Sequence, residues 1–131
     1  MKKILAVLII GYIILSVPFF AFGADGEVIT ITALELHQAF ISNPTATEEQ
    51  YLNKTIQLTG IVTVKGMSRY MTPNVELADH KDGTVLAICV LPRLDVGKLS
   101  NFKPGQKATF SGRVHRLTET RIILKECKAV E

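Results

Sequence analysis

The 131-residue chain contains no tryptophan, and aromatic residues make up only 7% of it. Its two cysteines, Cys89 and Cys127, match no zinc or redox motif in their spacing. A nucleophile-elbow serine, an HExxH pair and a phosphate-binding glycine loop are also missing. The three histidines, His37, His80 and His115, are far apart in sequence, and none has a second metal ligand at a suitable spacing. The chain is therefore predicted to be non-enzymatic, with no catalytic residues, no metal and no cofactor.

The most apolar part of the chain is its beginning. Two lysines precede a long apolar run, and Pro18 is followed by the small residues Ala21 and Gly23. This order predicts a secretory signal peptide over residues 1–23, and hence a periplasmic or secreted protein. The alternative is an uncleaved membrane anchor, because residues 4–24 carry no charge over a length that can cross a bilayer.

Charge is unevenly distributed over the rest of the chain. Residues 24–53 contain five acidic residues and no lysine or arginine, whereas residues 54–131 contain 13 basic and seven acidic residues. The first segment is predicted to be an acidic helical unit that packs on a second, basic domain. The positive charge has two explanations: an ordinary solvated surface, or a face that binds phosphates or other anions.

Helix signals are concentrated in the acidic segment. Thr32 and Glu35 form a capping box, and apolar residues follow it at helical spacing until an Asn-Pro pair ends the helix. A second capping box, at residues 45–48, predicts a shorter helix that reaches Tyr51.

The remaining residues alternate between apolar and polar with the period of β-strands. The first predicted strand places five residues on one face: Ile56, Leu58, Gly60, Val62 and Val64. Four more strands are predicted near residues 74–78, 84–91, 107–117 and 120–130, with a short helix near residues 96–102. Gly60 and Gly112 lie inside strands, where glycine relieves crowding at a bend or a close approach. Five strands, with N-terminal helices and a helix between strands three and four, predict a mainly β Greek-key barrel of the OB type.

Several short motifs are shared with one protein family. They are Tyr51 and Lys54 before the first strand, the Ile56-Leu58-Gly60-Val62 run, Cys89, Gly105, Gly112, and the LKEC sequence at residues 124–127. In this order, over residues 32–130, the chain resembles the tRNA-anticodon-like OB-fold family of exported bacterial proteins. Family members often have a cysteine and a glycine where this chain has RVHR, at residues 113–116. The resemblance implies an OB fold, and the family name records a likeness to anticodon-binding domains rather than a known ligand.

OB barrels bind ligands across strands two and three, between the loop after strand one and the loop after strand four. In the first loop, Lys65, Arg69 and Tyr70 combine cations with an aromatic ring, which suits a base or sugar stacked over an anionic backbone. Near the second loop, alternation points Arg113 and His115 out of the barrel. These residues and Arg116 complete the predicted ligand-binding set, which is expected to converge near the first loop.

The sequence therefore predicts an exported binding module for an anionic or ring-bearing ligand, of the oligonucleotide or oligosaccharide class. The alternative is a protein-interaction or structural domain of the cell envelope. Cys89 and Cys127 lie in strands three and five, which are neighbours in an OB barrel. They are predicted to form either one disulfide or two buried thiols, because export permits oxidation and the strand register decides whether the sulfurs meet.

Overall fold

The computed structural model of the protein describes residues 28–68 and 71–130. Its elements are β1 (Ile29–Thr32), α1 (Ala33–Ser42), α2 (Pro44–Tyr51), β2 (Thr55–Met67), β3 (Pro73–Ala78), β4 (Ala87–Val90), a 3₁₀ helix (Arg93–Asn101), β5 (Lys107–Leu117) and β6 (Ile122–Ala129). The predicted signal peptide or anchor, at residues 1–23, lies outside the described residues. Within the described ranges, no helix is both long enough and apolar enough to span a bilayer.

Strands β2 to β6 form a closed barrel, because β2 pairs with β3 along its second half and with β5 along its first half. The strand order is β2-β3-β4-β6-β5, and the pairing of β5 with β2 closes the ring. Only β4 and β6 run parallel in this ring. The predicted five-stranded OB barrel, with a helix between its third and fourth strands, is therefore confirmed. The third strand is shorter than predicted, and the 3₁₀ helix begins earlier than predicted, at Arg93.

Strand β1 is an addition to the predicted fold. It pairs in parallel with residues 56–59 of β2. These residues belong to the first half of β2, which does not pair with β3. Its last residue, Thr32, is also the N-cap of α1. A strand of four residues that ends in a helix cap is too short for an alternating pattern to reveal it.

The start of α1 confirms the predicted capping box. Thr32 Oγ1 accepts a hydrogen bond from the Glu35 amide at 3.0 Å, and Glu35 Oε1 accepts one from the Thr32 amide at 3.1 Å. The second predicted box is wrong, because α2 begins at Pro44 and is capped by Asn43, whose Oδ1 accepts from the Ala46 amide at 3.1 Å. Proline suits the first helical position, where its missing N–H would have no partner in the helix.

One core holds the barrel and the helices together. Apolar side chains from all five barrel strands fill the interior, where the rings of Phe102 and Phe110 lie 5.1 Å apart between centroids. Leu36 and Phe40 of α1 belong to the same core. The buried Thr47 hydroxyl joins α2 to α1, because it lies 2.9 Å from the Ala39 carbonyl oxygen.

A bulge in β2 corrects one predicted side-chain direction. Ile56, Leu58 and Val62 point into the barrel as expected, but Val64 is 50% exposed. Val62 pairs with Leu77, and Val64 pairs with Glu76, the residue before Leu77. Thr63 is therefore an extra residue in the ladder. The extra residue reverses the alternation beyond it, and Val64 therefore faces out.

The two glycines inside strands lie where another chain segment approaches closely. A Cβ atom on Gly60 would lie 2.9 Å from Leu77 Cβ, and one on Gly112 would lie 2.7 Å from Cys127 Sγ. Both distances are shorter than a nonbonded contact allows. The prediction that these glycines relieve crowding is confirmed, and the crowding comes from neighbouring strands.

The two cysteines lie side by side in the barrel interior. Cys89 and Cys127 are free thiols and are both fully buried. Their side chains hydrogen-bond to each other, and this contact, together with burial, raises the pKa of Cys89 well above its ordinary value. The two thiols are therefore neighbours in the core, and the disulfide itself stays a prediction.

Candidate functional site

Strand register aligns side chains in rows across the outside of the barrel, because register partners project from the same face. One row crosses all five strands and comprises Val64, Glu76, Ile88, Ile123 and Arg116. Two further pairs on the outer surface are Asn74 with Val90 and Arg113 with Lys125. The outer surface is therefore aliphatic over β4 and becomes cationic over β5 and β6.

A bulge in β5 places two polar residues side by side on the outside. Val114 pairs with Leu124, and Arg116 pairs with Ile123, so His115 has no partner in the ladder. His115 and Arg116 are both accessible, whereas the flanking Val114 is buried. An unbroken alternation would have turned Arg116 towards the interior.

A second bulge, in β6, also places two adjacent residues on the outside. Glu126 adopts a left-handed backbone conformation with a φ of 59°, and Lys125 and Glu126 are both exposed. Cys127 then returns to the core beside Gly112. We define the basic face as the outer surface of the β5–β6 hairpin formed by Arg113, His115, Arg116, Lys125 and Lys128.

The charges of the basic face act on one another. Arg113 Nε donates to Glu126 Oε1 at 3.2 Å, so Glu126 partly neutralises Arg113. Desolvation, and then the charges of Lys125, Arg113 and Arg116, lower the pKa of His115 from its ordinary value. The three cations therefore lie close enough to disfavour a further positive charge on this surface.

A groove of about 660 Å³ adjoins the basic face. It runs between the loop after β2 and the start of the 3₁₀ helix, and its lining includes Ser68, Thr72, Val90, Arg93, Lys125 and Glu126. Lys125 therefore belongs both to the basic face and to the groove. An extended anionic chain that lies along the hairpin can continue into this groove.

The predicted site residues are only partly brought together. Arg113, His115 and Arg116 lie on the basic face. Lys65 lies apart from them, because its register partner is the buried Val75 and its Nζ donates to the Leu99 carbonyl of the 3₁₀ helix at 3.0 Å. Arg69 and Tyr70 lie outside the described residues, although Ser68 and Thr72, on either side of them, line the groove.

Sequence reasoning missed Lys125, which is part of the LKEC motif. Alternation alone gives no reason to expect that Lys125 and Glu126 both face outwards. The signal for that arrangement is Gly112 on the opposite strand, because a glycine there makes room for Cys127 and so for the bulge. The signal is recognisable only once the register is known.

Aromatic side chains are not available on the described surface. All four aromatic residues of the described ranges are buried, namely Phe40, Tyr51, Phe102 and Phe110. Beyond residue 27, the sequence contains one further aromatic residue, Tyr70. Any base or sugar ring that stacks on an aromatic side chain of the barrel must therefore use Tyr70.

The histidines outside the basic face have other neighbours. His37 of α1 lies with Nε2 2.7 Å from the Glu119 carbonyl oxygen, and His80 Nδ1 lies 2.7 Å from Asp79 Oδ1. Both histidines line a separate cavity of about 630 Å³ beside α1. Among residues 28–68 and 71–130, no three His, Cys, Asp or Glu side chains are grouped to hold a metal ion.

The strand order, the closed barrel and the cationic outer hairpin define an OB-fold domain. The profile of the tRNA_anti-like family matches residues 1–128, and the chain belongs to this family. The resemblance that the sequence motifs indicate is thus confirmed. A comparison with curated protein sequences finds no significant match.

Solved structures agree on the fold. The chain is similar to a lipoprotein from Klebsiella pneumoniae subsp. pneumoniae to which nucleic-acid binding is attributed, with 21% identity and a TM-score of 0.65, over 79% of this chain and 92% of the other. It is also similar to a protein from Leishmania major to which an aspartyl-tRNA synthetase identity is attributed, with 14% identity and a TM-score of 0.50. That match covers 82% of this chain but only 21% of the synthetase. At these identities the likeness is one of fold.

Proposed function

We propose that this protein is an exported, non-catalytic OB-fold module that binds a single-stranded oligonucleotide along the basic face. The observation that carries the proposal is that two bulges bring Arg113, Arg116 and Lys125 to one outer surface. Cations on one surface attract the phosphates of a nucleic acid. Family membership and the nucleic-acid binding attributed to the Klebsiella lipoprotein support the same ligand class.

In this proposal, different residues contact different parts of the nucleic acid. Arg113, Arg116 and Lys125 contact phosphates, while Arg69 and Tyr70 in the loop after β2 supply a stacking surface for a base. Lys65, near the end of β2, adds positive charge ahead of that loop. Residues 1–23 are the export signal or anchor, and the lipoprotein nature of the Klebsiella neighbour supports export.

The binding experiment compares charge reversals on and off the basic face. A fluorescein-labelled oligothymidylate is titrated with the full chain in non-ionic detergent, and its anisotropy is recorded at several salt concentrations. Arg116→Glu and Lys125→Glu are each expected to weaken binding about tenfold at low salt and to flatten the salt dependence by roughly one phosphate contact. Lys103→Glu, which is exposed outside the basic face, is the matched control and is expected to bind as the wild type does.

Stacking is tested separately with Tyr70→Ala. Loss of one stacked base costs about 1–3 kcal/mol, so the affinity falls about fivefold or more while the salt dependence stays unchanged. Equal weakening by Lys103→Glu and Lys125→Glu would contradict a defined site. Tighter binding of an oligouronate than of the oligothymidylate would assign the face to acidic oligosaccharides, and binding of neither would favour the protein-interaction alternative.

A further inference from the structure

His115 is the one titratable group on the basic face that changes charge near neutral pH. It occupies the bulge of β5 between Arg113 and Arg116, and Lys125 faces it from β6. Glu126 lies nearby on β6, but its carboxylate accepts a hydrogen bond from Arg113. On the β2 side, Lys54 directly precedes the strand, and its carbonyl accepts from the amide of Val114 at 2.9 Å.

We propose that His115 takes up a proton when an anionic oligomer occupies the basic face, so that binding is stronger at mildly acidic pH. This inference rests on the function proposed above and adds that pH regulates the affinity of the basic face. The physical reason is that the same three cations that attract phosphates also repel an imidazolium. A bound phosphate chain offsets those charges and favours the protonated ring.

The direction of the pH effect follows from linkage. In the free protein the pKa of His115 is lowered from its ordinary value of 6.5, and a bound polyanion raises it again. Binding therefore takes up protons. Affinity is greatest below the pKa of the free protein and declines as the pH rises through the pKa of the complex, by at most about tenfold per pH unit for one group.

The chain offers an internal control for this effect. His37 and His80 line the cavity beside α1, where their partners are the Glu119 carbonyl and the Asp79 carboxylate. Both histidines lie outside the basic face. His80→Gln is therefore expected to keep the pH dependence of binding, whereas His115→Gln is expected to lose it.

The experiment measures the affinity of the full chain for a labelled oligothymidylate between about pH 5.5 and 7.5, at constant ionic strength. The wild type and His80→Gln are expected to bind about three- to tenfold more tightly at the acidic end, and His115→Gln is expected to bind equally at both ends. A pH dependence that persists in His115→Gln would overturn the inference. Binding of the wild type that is equally tight at every pH would overturn it too, while leaving the proposed function intact.

A second readout follows the imidazole itself. The Cε1 proton resonance of His115 is titrated by NMR in the free chain, in the Lys125→Gln variant and with saturating oligothymidylate. We expect the pKa of His115 to rise in both cases, because a repelling charge is removed or offset. An unchanged pKa in the complex would overturn the inference, and no binding at any pH would overturn both this inference and the proposed function.

Discussion

Replacing Gly112 by alanine tests the packing that makes the second bulge necessary. The new Cβ would lie 2.7 Å from Cys127 Sγ and 3.3 Å from two carbon atoms of Leu124. Both neighbours are fully buried, and Cys127 also contacts Cys89. They therefore have little room to move aside, and overpacking of this kind costs about 1–3 kcal/mol.

Part of that cost is offset in the unfolded state. Alanine restricts the unfolded chain more than glycine does, which contributes about 0.4–1 kcal/mol where the folded backbone accepts it. The net destabilisation expected for Gly112→Ala is therefore about 1–2 kcal/mol. Gly66 is the matched control, because a Cβ there would meet no atom within 4 Å. Gly66→Ala is expected to leave stability unchanged or to raise it slightly.

The assay is urea unfolding of the full chain under reducing conditions. Far-UV circular dichroism is the signal of choice, since the chain has no tryptophan for fluorescence. In the Cys127→Ala background the sulfur is gone, and Gly112→Ala is expected to cost about 1–2 kcal/mol less than it does in the wild type. Either of two results would refute close packing at Gly112. In one, Gly112→Ala unfolds at the same urea concentration as Gly66→Ala. In the other, Gly112→Ala destabilises the Cys127→Ala background as much as it destabilises the wild type.

Three further predictions concern the helices and the thiols. Asn43→Ala should destabilise the fold by about 1 kcal/mol in urea unfolding, because it removes the cap of α2, and Asn43→Asp should retain most of the stability. Thr47→Val should cost about 1–2 kcal/mol by the same assay, because the buried hydroxyl contacts the Ala39 carbonyl; a neutral effect would contradict the role assigned to this contact. Refolding with oxidised glutathione should join Cys89 and Cys127, with the loss of two hydrogens in the intact mass. The closed loop should add about 4 kcal/mol of stability, and an oxidised form that is no more resistant to urea would contradict this.

Several parts of the fold that depend on local sequence were predictable. The capping box at Thr32 and Glu35 involves residues three apart, and it forms as expected. The strands have a period of two, and β5 has the predicted ends. The strand β1 was not predictable, because its pairing with β2 joins residues far apart in sequence and its own pattern is too short.

The outer surface was harder to predict than the core, because bulges reset the alternation. Thr63, His115 and Glu126 are the extra residues of three bulges, and each changes which of the following side chains faces out. Val64 was assigned to the wrong face for this reason, and Lys125 was missed. A bulge depends on the register of the partner strand, which a single sequence does not specify.

In the function proposed above, the β5–β6 hairpin is a defined binding face and not merely a charged surface. The most direct test is an amide-shift NMR titration of the full chain with oligothymidylate, at low and at moderate salt. We expect saturable shifts that cluster on Arg113, His115, Arg116 and Lys125 and in the loop at residues 68–72. Weak shifts spread over all exposed lysines, including Lys81 and Lys103, and abolished by salt would contradict it.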